Sequence, residues 1–495
     1  MTIGGARLSA GALVWAGFDG PAVPGPLLDA IEHGRIGGLV VFAYRGNLRS
    51  REQVRAMLRD VASATRRGGL PDLPIGIDQE GGSVVRIGYG AVFPSAMAIA
   101  ATGQTDFARQ AAVLVGRGLR ADGIAVNHAP VCDVNVEPRN PVIGTRSFGD
   151  DPQTVARYAA AWVSGSESAG VASTPKHFPG HGATAHDTHH TTVEVREPRA
   201  VLDARELVPF RAAIAAGASG VMSAHITYPA LDQERIATLS PRILIDLLRR
   251  ELGFTGLLMT DSLDMSGLTQ VEIPAKVAVR AVNAGIDAVM VTSGLQKQLD
   301  APEHLAIGVP PVRLQEAIRR AAAFRDRFGV PVPDAPFDDE PGRELAQEIA
   351  AASITAYGPV LPPLGGPLRV VVFPAQRRSP VEELAQLETD FEQALRERLG
   401  PRLAFSADGR APEGAGPLVV CTSSASFDPA QAEQARALLA GGGILCALRS
   451  PYDAALVPQV PALLTYGDVP VSLVALADVL SGRRAPRGTP PVRIA

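Results

Sequence analysis

Residues 257–265 read LLMTDSLDM, an apolar run of strand length that ends at Thr260 and delivers a carboxylate, Asp261, to the space beyond the strand. Working outward, the same pattern of a short apolar run followed by a polar turn recurs. Strands are predicted at Ala12–Phe18, Gly37–Phe42, Leu73–Ile77, Ile124–Asn127, Gly170–Thr174, Gly220–Ala224, Gly256–Thr260 and Asp287–Val291. Helical spacing of apolar residues follows most of them, at Arg51–Thr65, Asp106–Ala121, Val155–Ala169, Arg199–Ala216, Pro241–Leu252 and Ile273–Ala284. Strands alternating with crossover helices make a parallel sheet. Eight such units predict a closed (β/α)8 TIM-type barrel, with an open doubly wound sheet as the alternative. The barrel makes a demand that the sequence can test, because its chemical residues must follow strand ends.

A further helix is expected from Val312 to Phe328, and the stretch from Val330 to Gly342, rich in Pro and Asp, reads as a linker. Beyond it, strands at Leu368–Phe373, Leu418–Thr422 and Ile444–Leu448 alternate with helices at Val381–Leu399 and Pro429–Leu439. The expected division is a catalytic barrel over 1–335 and a small α/β sandwich over 336–495. The sandwich carries no comparable cluster of catalytic residue types, so its expected role is packing or support of substrate loops.

Bulk composition removes several function classes. The 495 residues carry a net charge of −4, with 46% hydrophobic and 20% charged residues. Such a balance offers no general attraction to nucleic acid or to anionic lipid. Three separated cysteines, Cys132, Cys421 and Cys446, provide neither a disulfide framework nor a C-x-x-C knuckle. No leader peptide is evident at the amino terminus, and no run approaches the roughly 20 apolar residues of a membrane span. A cytoplasmic location is the expectation. Only Lys176, Lys276 and Lys297 are lysines, which draws the eye to Lys176 inside the densest polar motif.

That motif is Lys176–His190, KHFPGHGATAHDTHH, and it holds five of the nine histidines. It lies in a connection far longer than the usual 2 to 6 residues or so between strand and helix, as functional loops often are. His177 with His181, or His186 with His190, has the i,i+4 spacing of two metal ligands on a helix. Pro179, Gly180 and Gly182 argue against that helix. A loop whose histidines bond one another and the backbone is a second reading. The third is a carboxylate–histidine dyad, Asp187 with His189, in which the carboxylate favours the imidazolium and prepares it to protonate a leaving oxygen.

Three other strand ends carry chemistry. Asp261 is placed as a nucleophile or as the cap of the next helix, whereas Asp264, three residues past the strand, is expected to face solvent or a cap. In Gly76–Arg86, GIDQEGGSVVR, Asp78 would accept hydrogen bonds from two sugar hydroxyls or form the turn before Gly81 and Gly82. Glu80 is its rival for that role or for acid/base work. In Asp133–Phe148, DVNVEPRNPVIGTRSF, Arg139 and Arg146 would offer guanidinium forks or serve as ion-pair partners. His225 would line the same cavity or be a satisfied core histidine.

These segments together resemble glycoside hydrolase family 3, most closely its β-N-acetylglucosaminidases that recycle peptidoglycan. The family's D-Q-E-G-G turn, N-P-V-I-G-x-R-S-F stretch, K-H-F-P-G-H-G loop followed by D-x-H, and T-D-x-L-x-M strand end occur here in order. They fall at Asp78–Gly82, Asn140–Phe148, Lys176–Gly182 with Asp187–His189, and Thr260–Met265. The resemblance implies that Asp261 is the nucleophile and that His189, paired with Asp187, is the general acid and then base. It implies that Asp78, Arg146, Lys176, His177 and Arg86 bind the innermost sugar, with no metal or organic cofactor. Ala183 stands where many members have Asp.

The function so implied is exo-acting, retaining hydrolysis of terminal β-linked N-acetylglucosamine from peptidoglycan- or chitin-derived fragments. The partner is a small carbohydrate. A neutral histidine base repels an anionic acceptor less than a carboxylate does, so a glycoside phosphorylase, or a β-glucosidase, is the alternative on the same fold. A metal-dependent hydrolase built on the histidine-rich loop and a non-catalytic sugar-binding module are the alternatives of other classes.

Overall fold

The protein is described from a computed structural model that covers residues 2–3, 6–7, 9–185, 193–264, 274–375, 377, 379–380, 382 and 387–494. All eight predicted barrel strands form, all but β7 shorter than their apolar runs: β1 (Val14–Ala16), β2 (Gly38–Val40), β3 (Ile75–Ile77), β4 (Val126–Asn127), β5 (Ala172–Ser173), β6 (Gly220–Ser223), β7 (Leu257–Ser262) and β8 (Ala288–Val291). They hydrogen-bond side by side in the order β5-β4-β3-β2-β1-β8-β7-β6, every pair parallel. The two ends of that sheet meet through a bridge between Phe178 and Ser223, so the sheet is a nearly closed barrel. Their residues are almost wholly buried, as strands with side chains inside the barrel and helices outside must be.

The barrel interior is filled by large groups set against missing ones. Trp15 of β1 packs edge-on to His128, with ring centroids 6.1 Å apart. A Cβ on Gly38 would fall 2.4 Å from the Trp15 ring, and one on Gly76 would fall 2.6 Å from His128 Nε2. Glycine is therefore required where the floor of the barrel is widest in side-chain volume.

Outside the barrel, helices run over Arg51–Arg67, Thr105–Ala121 and Pro152–Ser168, within a residue or a turn of expectation. The helix predicted over Arg199–Ala216 is two, Arg199–Ala204 and Leu207–Ala215. Residues Arg242–Glu251 adopt a π-helix, and the helix over Pro274–Ala284 begins just past undescribed residues. The stretch expected as linker up to Gly342 is shorter than predicted, because a helix begins at Glu340 and continues to Ser353. Its face carrying Leu345, Ala346 and Ile349 joins the core of the barrel, while Ala350 belongs to the core beyond. Apolar periodicity there overrides the Pro and Asp signal.

The carboxyl-terminal part is built on a six-stranded sheet. Its strands are β9 (Thr355–Tyr357), β10 (Leu368–Val372), β11 (Leu403–Ser406), β12 (Leu418–Thr422), β13 (Ile444–Ala447) and β14 (Ala462–Leu464). The order is β9-β14-β13-β12-β10-β11, with β9 antiparallel to β14 and the others parallel. Helices Leu387–Leu399, Pro429–Leu439 and Pro470–Leu480 accompany it. It is seated on the barrel's upper loops: Ser95 Oγ donates to Tyr466 O at 2.7 Å, and Asn135 Nδ2 to the Tyr452 hydroxyl at 2.9 Å. No helix among the described residues is long and apolar enough to cross a membrane.

Candidate active site

The turns after the barrel strands converge on a cavity of about 360 Å3. Every strand from β2 to β8 contributes to its wall, directly or through the segment that follows it: Tyr44 and Arg45, Asp78 and Arg86, His128 and Arg146, Lys176 and His177, Met222, Asp261, and Thr292. This is the placement the barrel reading demands. Pro380, from the segment after β10, also lines it, so the carboxyl-terminal part reaches the cavity.

Four charged side chains from three strand ends form one buried network. Glu80 accepts from both forks of Arg146, at 2.8 Å to Nε and 2.8 Å to Nη2. Lys176 Nζ lies 2.7 Å from Glu80 Oε1 and 2.6 Å from Asp78 Oδ1. Burial alone would raise the carboxyl pKa values, but the cations outweigh it. Arg146 and Lys176 hold Glu80 at about 2, and Lys176 above all holds Asp78 well below the carboxylate range. For Lys176, burial favours losing the proton, yet its two carboxylates win and raise it above its ordinary value. Both oxygens of Glu80 are committed to its cations, so the rival acid/base reading of Glu80 does not fit. Both carboxylates line the cavity, and Asp78, with 18% of its side chain exposed against 6% for Glu80, is the more open of the pair.

The backbone explains why Lys176 and His177 stand where they do. Beyond β5 the chain keeps pairing as if the strand went on: Lys176 N donates to Pro130 O at 3.1 Å, Cys132 N to Lys176 O at 2.6 Å, and Phe178 N to Met222 O at 2.8 Å. The KHFP segment is thus a strand extension gripped from both sides. Residues 175–185 contain no helix, so the helical pairing of His177 with His181 as metal ligands does not arise. His181 is buried, and burial lowers its pKa to about 4, with its Nδ1 2.8 Å from Thr184 Oγ1. Among the described residues, no group of three His, Cys, Asp or Glu is arranged to hold a metal ion.

Asp261, next to last in β7, lines the cavity, with Oδ1 accepting from the backbone N–H of Ser262 at 2.7 Å. Residues 261–262 are strand and 263–264 a turn, so no helix begins directly at Asp261; residues 265–273 lie outside the described residues. Asp264 corrects the expectation of a solvent-facing carboxylate. It lines the same cavity, and its Oδ2 accepts from Thr292 N at 2.7 Å and Ser293 N at 2.8 Å, tying the end of β7 to the end of β8. Asp187 and His189, with His186 and His190, lie outside the described residues. Arg86 is buried in the wall, its guanidinium 5.5 Å from the Tyr44 ring centroid. Arg139 is exposed and paired with Glu137 at 2.9 Å, away from the cavity. His225 is the satisfied histidine of its two readings: Nδ1 is 2.8 Å from Thr238 Oγ1 and Nε2 is 3.1 Å from Ser262 O.

Sequence reasoning passed over Tyr44, Arg45, His128 and Asp133. Each follows a predicted strand, and the strand-end rule applied evenly would have drawn attention to all four. His128 stays neutral because burial on the barrel floor lowers its pKa to about 4.

Comparison with known proteins agrees with this geometry. Residues 27–321 match the family described as the glycosyl hydrolase family 3 N terminal domain. The structure superposes on that of a family 3 β-N-acetylglucosaminidase from Paenibacillus sp. str. FPU-7 with a TM-score of 0.90 and 34% identity, covering 99% of each chain. A β-hexosaminidase of Stenotrophomonas maltophilia (strain R551-3) is 40% identical over 273 residues, 53% of this chain and 78% of that one. Beta-hexosaminidase A of Pseudoalteromonas piscicida is 38% identical over 297 residues, 56% of this chain, and the match spans only about half (49%) of the relative's length. A likeness that runs the whole length of a solved relative, added to a family match over the barrel, leaves one conclusion: the chain belongs to glycosyl hydrolase family 3.

Proposed function

We propose that the protein is a retaining exo-β-N-acetylglucosaminidase that releases terminal N-acetylglucosamine from peptidoglycan- or chitin-derived fragments in the cytoplasm. The observation that carries this is a carboxylate at the end of β7, Asp261, sharing one cavity with Asp78, Lys176 and His177. Family membership and the names of the relatives support the sugar. A cavity of about 360 Å3 suits one terminal unit better than a long chain.

In this reading Asp78, held ionised by Lys176, accepts from the hydroxyls of the innermost sugar, while Lys176, Arg146, Arg86 and His177 complete its binding. Asp261 attacks the anomeric carbon as His189, paired with Asp187, protonates the departing oxygen, and a glycosyl ester forms. His189 then takes a proton from water, which attacks the same carbon and releases sugar of unchanged anomeric configuration. The chain is proposed to divide between residues 335 and 336.

Turnover of aryl β-N-acetylglucosaminide and aryl β-glucoside, each with and without inorganic phosphate, tests the assignment. The expected result is a preference of about 10²-fold or more in kcat/KM for the N-acetyl substrate, since a site built to bond a group discriminates against its absence. Phosphate should leave the rate unchanged. A rate that rises with phosphate, with sugar 1-phosphate as product, would establish the phosphorylase instead.

A further inference from the structure

Asp133 is wholly buried, lies seven residues past the start of β4 and is absent from the cavity wall, yet three N–H groups around the K-H-F-P-G-H loop converge on it. Its Oδ1 receives the backbone N–H of His177 at 3.1 Å and of His181 at 2.7 Å. Its Oδ2 lies 2.7 Å from His177 Nδ1. We propose that Asp133 is the positioning residue for His177, fixing the Nδ1–H tautomer and so presenting Nε2 to the cavity as a hydrogen-bond acceptor. The step that uses His177 to bind sugar rests on the function proposed above; the tautomer does not.

The argument is one of donors and acceptors. A carboxylate only accepts, so the nitrogen facing Oδ2 must carry a proton. His177 lines the cavity, and the ring edge opposite Nδ1 is Nε2. A neutral imidazole with its proton on Nδ1 has a lone pair on Nε2, and the partner it accepts from is a sugar hydroxyl. The nearby His181 ring, 5.8 Å away and edge-on, has its own Nδ1 turned to Thr184 and does not compete for Asp133.

Asp133→Asn separates this role from a merely structural one. The two backbone N–H groups at Oδ1 demand an acceptor, so the amide oxygen must sit there. The amide NH2 then faces Nδ1 and forces the proton to Nε2. The same substitution beneath the histidine of a catalytic triad keeps the geometry and produces the wrong tautomer. The variant should fold, reverse the His177 tautomer, and raise KM for the aryl glycoside by about 10-fold with little change in kcat, since the hydroxyl that donates to Nε2 must then turn to accept from it and give up its other bonds.

The measurement is long-range 1H–15N correlation on the full chain labelled at histidine, with His177 assigned by its loss in His177→Asn. The wild-type protein should show a bare Nε2 and a protonated Nδ1, and Asp133→Asn the reverse. Adding Asp133→Asn to His177→Asn should raise KM no further. A wild-type spectrum with a proton on Nε2 overturns the proposal, even if the variant does not fold. So does an unchanged KM in Asp133→Asn, or an equal rise in the absence of His177. If no N-acetylglucosaminide is turned over, the sugar reading has failed and the spectrum still judges the tautomer.

Discussion

Asp261→Asn should reduce kcat on an aryl β-N-acetylglucosaminide by about 10⁴-fold or more while the melting temperature stays within a few degrees of wild type. An amide oxygen is too poor a nucleophile to form the glycosyl intermediate, so the substitution removes the first chemical step. The described contacts survive the change. Asn keeps an oxygen to accept the Ser262 N–H, and the ladder that holds β7 is made by backbone groups of Leu257 to Thr260 against β6. Full activity in this variant would assign the nucleophile elsewhere, with Asp264, on the same cavity wall, the carboxylate to test. Its ties to Thr292 and Ser293 predict that removing Asp264 loosens the strand ends instead.

Glu80→Ala should be the most destabilising single change in the site, at about 3–5 kcal/mol, because it leaves Arg146 and Lys176 buried and without their shared carboxylate. Side-chain exposures of 5% for Arg146 and 3% for Lys176 leave water little access to compensate. KM should rise as well, since Lys176 is the partner that keeps Asp78 in place. Glu80→Gln should cost less, as it preserves shape and part of the hydrogen bonding. The pH dependence follows in sign. Glu80 has its folded pKa lowered from 4.5 to about 2, so its contribution is complete above 4.5 and is lost as the pH falls toward 2. Melting temperature measured across that window should fall less steeply in Glu80→Gln than in wild type; equal slopes would remove Glu80 as the source.

The barrel was legible because its signal is repeated: eight apolar runs, most of them followed by a helix pattern, leave few other solutions. What was not legible was depth. The apolar run Ala12–Phe18 predicts a seven-residue strand, yet only Val14–Ala16 pairs as β1, since Ala10–Leu13 turn as a 3-10 helix beneath it. Conversely, Lys176 to Phe178 read as loop but pair as strand, because neighbouring backbone rather than apolar periodicity decides there.

The site shows the same division. That Asp78, Arg146, Lys176, His177 and Asp261 lie together follows from their places after strands. That Glu80 is spent on cations, that Asp264 turns to β8, and that Asp133 orients His177 could not be read, because each depends on contacts between segments distant in the chain. The start of the helix at Glu340 is hidden by the Pro and Asp around it, and only the helical spacing of Leu345, Ala346 and Ile349 behind them marks it.

The central claim is a covalent bond between Asp261 and the anomeric carbon. A fluorinated N-acetylglucosaminide that forms this ester quickly and hydrolyses it slowly, followed by peptide mass spectrometry, tests it directly. The expected result is one added sugar per chain, on the peptide that contains Asp261, with its loss on prolonged incubation restoring activity. Label on another residue, or a product of inverted anomeric configuration with no adduct, would contradict the account.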